Sequence, residues 1–337
     1  MSNTRETSER DTSFDVLRAA AILYVVGFCH MCNYIEKADW IKHSSSAIEL
    51  ATACALGSFC FISGCVLSRR YVLKSWRDLG VFYLRRVLRI YPLYLIALTG
   101  FLSLGLIPRQ LFHKSLFLTN ALTAYGQDHL PTLWFVSMIV LFYTMAPLYL
   151  AFFKHWRAVA ITLGIWAILV AINHVYGRID GRFLIHFPVF AIGIIAGKSR
   201  QFPRMLEKFI GVVVSLVVFV GAVWISRHHR IEGIADLLIT DVAILSSIPV
   251  LLFLSWGLSF VVRGRFLHVL SYSSFALYLF HRIIFEFGIR VHLWLWPESS
   301  VPSLAYMLAL VVPASIAISY GIQWLYDKGI ARIRLGT

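Results

Sequence analysis

Ten apolar runs, each close to the ~20 residues a helix needs to cross hydrocarbon, take up nearly the whole chain, at positions 15–35, 47–68, 90–107, 132–152, 158–175, 183–197, 209–226, 235–260, 270–290 and 303–325. Runs this long and this closely spaced cannot hide in a water-soluble core. Hydrophobic residues make up 59% of the 337 and the mean hydropathy is +0.74, so the bilayer must serve as the solvent. Lipid offers no partner to a free backbone N–H or C=O, and helices answer that by pairing every group internally. The expected fold is therefore an all-α polytopic membrane protein of about ten transmembrane helices. An even number of spans places both termini on one side.

Charge gives the side. Charged residues are only 14% of the chain, yet the formal net charge is +14. Most of the 31 basic residues gather in alternate connectors: before and at the start of the first run (Arg5, Arg10, Arg18), between Arg69 and Arg89, at Lys154 and Arg157, between Lys198 and Lys208, at Arg263 and Arg265, and after the last run. The positive-inside rule then puts both termini in the cytoplasm. Residues 1–14 read as a cytoplasmic N-terminal tail, 15–325 as one membrane domain and 326–337 as a cytoplasmic C-terminal tail. Basic residues distributed in this way serve topology, so no nucleic acid is expected as a partner. The polar N-terminus shows no small-residue cleavage site, so no cleaved signal peptide is expected. The five cysteines, Cys29, Cys32, Cys54, Cys60 and Cys65, all fall in the first two apolar runs. They read as small apolar packers rather than a disulfide framework, and no metal is expected.

Ionisable residues inside spans cost a few kcal/mol or more, which makes each one a functional candidate. His30 lies deep in the first run, with Arg18 near its cytoplasmic end. Twelve residues of helix separate them by roughly 18 Å, a column suited to a long anionic molecule that enters from the cytoplasm. The same two residues also read as a topology signal and a satisfied interior histidine. Arg85, Arg86 and Arg89, just before the third run, can clamp phosphates through bidentate bonds or contact anionic lipid head groups. Asp236 and Asp241 enter the eighth run from its outer end, as acceptor-site carboxylates or as loop-proximal ones. In the ninth, Arg282 and Glu286 stand at i,i+4 beside His281 and read as an internal ion pair. Trp40, Tyr125, Trp134, Trp294 and Trp296 fit an interfacial belt, a minority being available to stack on a sugar. The segment 108–131 reads as an outer interfacial or re-entrant helix.

Several of these segments resemble one family. FDVLRAAAILYVVGFCH is similar to the first-span motif of the acyltransferase 3 family of membrane O-acyltransferases, which modify bacterial surface polysaccharides and related glycans. Arg18 and His30 stand in its Arg and His places. FCFISGCVLSRRY resembles the second span, with Phe59, Ser63 and Gly64 in a Phe-Phe-x-x-Ser-Gly core and Cys60 replacing the second phenylalanine. RRVLRIYPLYLI resembles the third, with Arg86 and Arg89 in an R-x-x-R pattern. LWFVSMIVLFYTMAPL and SYSSFALYLFH, which carries His281, resemble later segments.

The resemblance implies an enzyme of the bacterial inner membrane. It would use acetyl-CoA or another acyl-CoA as donor and a hydroxyl of a glycan or lipid-linked saccharide as acceptor. His30 would be the catalytic general base, and Arg18, Arg86 and Arg89 would hold the coenzyme A phosphates, joined by Arg85 on the strength of the arginine cluster before the third run. Trp134, Asp236, Asp241 and His281 are the candidates for contact with the acceptor. The alternative class is a transporter or flippase for a lipid-linked or acylated saccharide, against which the lack of internal repeats weighs. A non-catalytic assembly subunit is the third, and it would show no affinity for coenzyme A.

Two departures from the family pattern have physical consequences. Arg18 and His30 have eleven residues between them where the family usually has ten. In a regular α-helix the extra residue turns His30 about 100° away. A π-bulge near Gly27 would absorb it, and an unbroken α-helical ladder from Leu23 to Asn33 would refute that expectation. Ile139 and Val140 occupy the places where many relatives carry a glutamate pair, so any role of that pair is absent.

Overall fold

The computed structural model describes residues 12–35, 45–118, 130–151, 155–177, 179–199, 209–228, 233–262, 264–298 and 302–335. Among them there is no strand, and every apolar run forms a long helix. Helix α1 (Thr12–Tyr24) continues through a π-helical turn, Val25–His30, into a 3-10 turn, Met31–Asn33. It is followed by α2 (Ser45–Arg70), α3 (Trp76–Ser103), a short α4 (Arg109–Ser115), α5 (Trp134–Ala151) and α6 (His155–Tyr176). Then come α7 (Gly181–Lys198), α8 (Phe209–His228), α9 (Ile234–Ser259) and α10 (Arg265–Leu295). The last, α11 (Val312–Leu335), is entered through a turn at Leu304–Tyr306 and a second π segment, Met307–Val311. The expected π-bulge is present, and Gly27 lies inside it.

Eight of the described spans are long and apolar enough to cross a membrane, and the chain is a multi-pass membrane protein. The two further long helices, α3 and α10, are the ones that carry charge along their length. Of the segment expected to lie at the outer interface, 108–118 forms α4 and its flanks, while 119–129 lies outside the described residues. Trp40 and Tyr125 lie outside them too.

Burial separates the helices into an inner and a lipid-facing set. The core draws on most of the helices, and an aromatic group within it joins α5 to α7, where Phe142 meets Phe183, Phe187 and Phe190 with ring centroids 5.1, 5.9 and 5.3 Å apart. Outer helices expose their apolar side chains instead, as α8 does with Ile210, Val214, Val217 and Trp224. An exposed apolar face of that extent is lipid contact for a membrane protein.

In lipid, helices associate through close packing rather than through the hydrophobic effect, and small residues permit it. Helices α2 and α7 use Gly64 and Gly193 in this way. A Cβ on Gly64 would fall on the Phe190 carbonyl oxygen, and one on Gly193 on the Phe61 carbonyl oxygen. The Ser-Gly step at Ser63–Gly64 is thus a packing step, and it aligns α2 for the cavities described below. Gly193→Ala is expected to force the pair apart and cost about 1–3 kcal/mol. Gly164→Ala, whose Cβ would meet open space, should be neutral or mildly stabilising. Thermal unfolding of the detergent-purified variants measures the difference, and equal midpoints would contradict the packing account.

Candidate active site

Two cavities approach each other inside the bundle. The smaller, about 160 Å³, is lined by Arg18 from α1, Ser63 from α2, Arg86 and Arg89 from α3, Tyr143 from α5 and Tyr272 from α10. Its position depends on how α3 begins. Ser75 accepts from the backbone N–H of Asp78 at 3.2 Å, and the Asp78 carboxylate accepts from that of Ser75 at 2.9 Å. This reciprocal cap starts a helix early enough for Arg86 and Arg89, one turn apart, to share a face. Arg85, about 100° round the helix from Arg86, is exposed and does not line the cavity.

The arginines are held in different ways. Arg86 donates to the Tyr71 hydroxyl at 2.9 Å and lies over the rings of Tyr71 and Tyr143, 5.2 and 5.4 Å from their centroids. Its Nε is buried without a hydrogen-bond partner among the described residues. Arg18 stands 3.9 Å from the carboxylate of Asp15, which in turn accepts from Ser271 at 2.5 Å. That contact ties the start of α1 to α10.

The larger cavity, about 1070 Å³, lies where α1 ends and α5 and α7 begin. His30, Glu49, Trp134, Arg182, Arg227 and Arg282 are among its lining residues. At its wall Asp180 caps α7 by accepting from the Arg182 backbone N–H at 2.9 Å. The same carboxylate takes the Arg182 side chain in two bonds, Nε at 2.9 Å and Nη2 at 2.5 Å. The guanidinium so fixed lies 3.8 Å from the centroid of the Trp134 ring. One face of Trp134 is therefore already taken by a cation.

Between the cavities stands Tyr278, whose side chain lines both. It is packed against Phe135, with centroids 5.3 Å apart, and its hydroxyl donates to the Thr132 carbonyl at 2.5 Å. Thr132 has φ +58°, a left-handed conformation that is costly for a β-branched residue. The turn before α5 thus holds strained backbone at the point where it anchors the partition.

One turn further along α10, His281 is completely buried and meets His30 from the π turn, Nδ1 of His30 lying 2.8 Å from Nε2 of His281. The ring planes differ by 7° and the centroids are 4.9 Å apart. Near-parallel planes with nitrogens so close cannot be a stacking distance apart, so the rings meet edge to edge. Residues 251 positions apart thereby form one unit. The arrangement offers a base at the floor of a large cavity and cations in a small one, with a tyrosine between.

The remaining candidates are placed differently. Asp236 is exposed in the first turn of α9, and Asp241 is buried at 6% exposure; neither is among the described lining of either cavity. The ion pair expected between Arg282 and Glu286 gives way to one between Glu286 and Arg290 at 3.6 Å. Both pairings satisfy i,i+4, and Arg282 instead faces the larger cavity. Sequence reasoning passed over Tyr278, Asp180 and Arg182. Arg182 and Asp180 sit at a span end, where they read as connector charges, and a buried tyrosine carries no local signal at all.

A helical bundle with ionisable side chains meeting at internal cavities defines the class, a multi-pass membrane protein with a polar site between its helices. The family model described as Acyltransferase domain, that of acyltransferase 3, matches residues 11–324. The chain belongs to this family of acyltransferases. No curated protein and no solved structure matches it.

Proposed function

We propose that the protein transfers an acyl group, acetyl in the first instance, from acyl-CoA bound at the arginine-lined cavity to a hydroxyl of a glycan or lipid-linked saccharide in the larger cavity. His30 is the general base. The observation that carries this reading is the shared wall: Tyr278 alone among the described residues lines both cavities, so donor and acceptor approach one point from opposite ends. With the orientation expected from the positive-inside rule, the arginine end faces a cytoplasmic pool of acyl-CoA and the larger cavity faces the opposite side, which suits a bacterial inner membrane.

The donor fits in part. A buried Arg86 Nε with no partner among the described residues is a donor suited to an oxygen acceptor, which phosphate supplies. A cavity of about 160 Å³ takes only a section of coenzyme A, so the nucleotide lies outside it, near Arg89. The pantetheine arm then covers the roughly 18 Å of helix rise from Arg18 to His30. In the reaction the acceptor O–H gives its proton to His30 while its oxygen bonds to the thioester carbonyl carbon. The C–S bond breaks as the carbonyl re-forms, and the thiolate of coenzyme A takes up the proton that His30 received, which returns the imidazole to its neutral form.

Binding of coenzyme A to the purified protein tests the donor site. Hydrogen bonds to charged groups contribute about 1.5–3 kcal/mol each, so Arg86→Ala is expected to weaken binding by about 10–100-fold. Arg85→Ala, on the exposed flank, should change it by less than about threefold. Equal effects of the two, or none, would reduce the arginines to lipid contacts.

A further inference from the structure

The hydrogen bonds of His281 determine which nitrogen of His30 is free. Nδ1 of His281 lies 3.0 Å from the Leu277 carbonyl oxygen and 2.9 Å from that of Tyr278. Carbonyl oxygens only accept, so this nitrogen carries the proton. A neutral imidazole has one N–H, which leaves Nε2 of His281 with a lone pair. That lone pair faces Nδ1 of His30 at 2.8 Å. Two lone pairs at this separation repel, so the proton between the rings belongs to Nδ1 of His30. Nε2 of His30 is left unprotonated.

We propose that His281 is a positioning residue that sets the tautomer of His30, presenting Nε2 of His30 as the proton acceptor, with the two α10 carbonyls as the fixed end of the chain. The proposal rests on the reading of His30 as general base, and it adds which atom acts and why. When the acceptor hydroxyl transfers its proton, the proton goes to Nε2 of His30 and the ring becomes an imidazolium. Its Nδ1–H stays bonded to His281, so the charge forms without the ring turning. Because both carbonyls belong to the helix that carries His281, the tautomer is built into α10 and needs no separate carboxylate. In this it differs from a Ser-His-Asp arrangement, in which an acid performs the same orientation.

Two measurements test it separately from the reading beneath it. Nitrogen NMR of ¹⁵N-histidine-labelled protein in detergent, with the His30 signals identified by their loss in His30→Gln, reads the tautomer directly. The expected result is a protonated Nδ1 and a lone-pair Nε2 on His30; the opposite pattern overturns the proposal whatever the protein acylates. The second is the rate of acyl transfer in membranes. His281→Leu removes the acceptor and is expected to lower transfer at least tenfold, approaching the roughly 10⁴-fold that a wrong tautomer costs a triad, with coenzyme A affinity unchanged. His281→Gln, whose amide oxygen can accept from Nδ1, should recover most of the loss. A His281→Leu variant that folds and transfers normally would overturn the positioning role. Loss of the His30 requirement with the tautomer intact would instead count against His30 as base.

Discussion

His30→Gln is expected to lower acyl transfer by about 10²–10⁴-fold, the range that a positioned general base contributes, with little change in folding or in coenzyme A binding. Glutamine approximates the length and hydrogen-bonding capacity of the imidazole, so the contact with His281 need not leave a buried nitrogen unpaired. What it cannot do is accept a proton at neutral pH. The predicted separation of binding from turnover follows from the architecture, because the arginine cavity and the His30 cavity meet only at Tyr278 among the described residues. Acyl transfer and coenzyme A binding, measured side by side in the same membranes, check it. Parallel loss of both would mean that His30 supports the bundle rather than the chemistry.

Deleting Leu279 from α10 is expected to abolish transfer, while deleting Gly27 from the π turn of α1 should leave it within about tenfold of normal. Each deletion shortens a helix by one residue, but the consequences differ. Leu279 lies between Tyr278 and His281 in continuous α-helix, so its loss turns His281 about 100° relative to Tyr278. Misplacement of about 1 Å can already cost 10²-fold. Gly27 lies within Val25–His30, where the helix already holds one residue more than α-geometry requires. Its removal lets the α-helical ladder run through and keeps His30 on its side of α1. A Cβ at Gly27 would come no nearer than 3.8 Å to Val312, so no tight packing is lost with it. Transfer in membranes with equal amounts of folded protein measures both, and a Gly27 deletion as damaging as that of Leu279 would contradict the bulge account.

The π turn shows what was legible in the sequence. Against the spacing of the family it resembles, one extra residue between Arg18 and His30 had to be accommodated, and helical periodicity then called for a bulge, expected near Gly27 and found at Val25–His30. The ten helices were legible for a similar reason, since lipid permits few alternatives to a helix once a run is long and apolar. The charges that lower the hydropathy of α3 and α10 belong in part to the cavities, as with Arg86, Arg89 and Arg282. Legibility ended where partners come from different helices. Nothing near Arg182 announces Trp134, and nothing near His30 announces His281. Even inside α10, spacing allowed Glu286 to pair with either neighbour, and only the position of the cavity distinguishes Arg282 from Arg290. The R-x-x-R spacing put Arg86 and Arg89 on one face, and both line the smaller cavity, whereas Arg85, their neighbour in sequence, does not.

The central claim is that an acyl group passes from the arginine end to an acceptor activated by His30. Sealed inside-out vesicles from cells producing the protein, given radiolabelled acetyl-CoA on their outer, formerly cytoplasmic, surface, test it most directly. The account predicts label in the glycan or lipid-linked saccharide fraction with the native chain, and background counts with His30→Gln although coenzyme A still binds. Undiminished labelling with His30→Gln would contradict it.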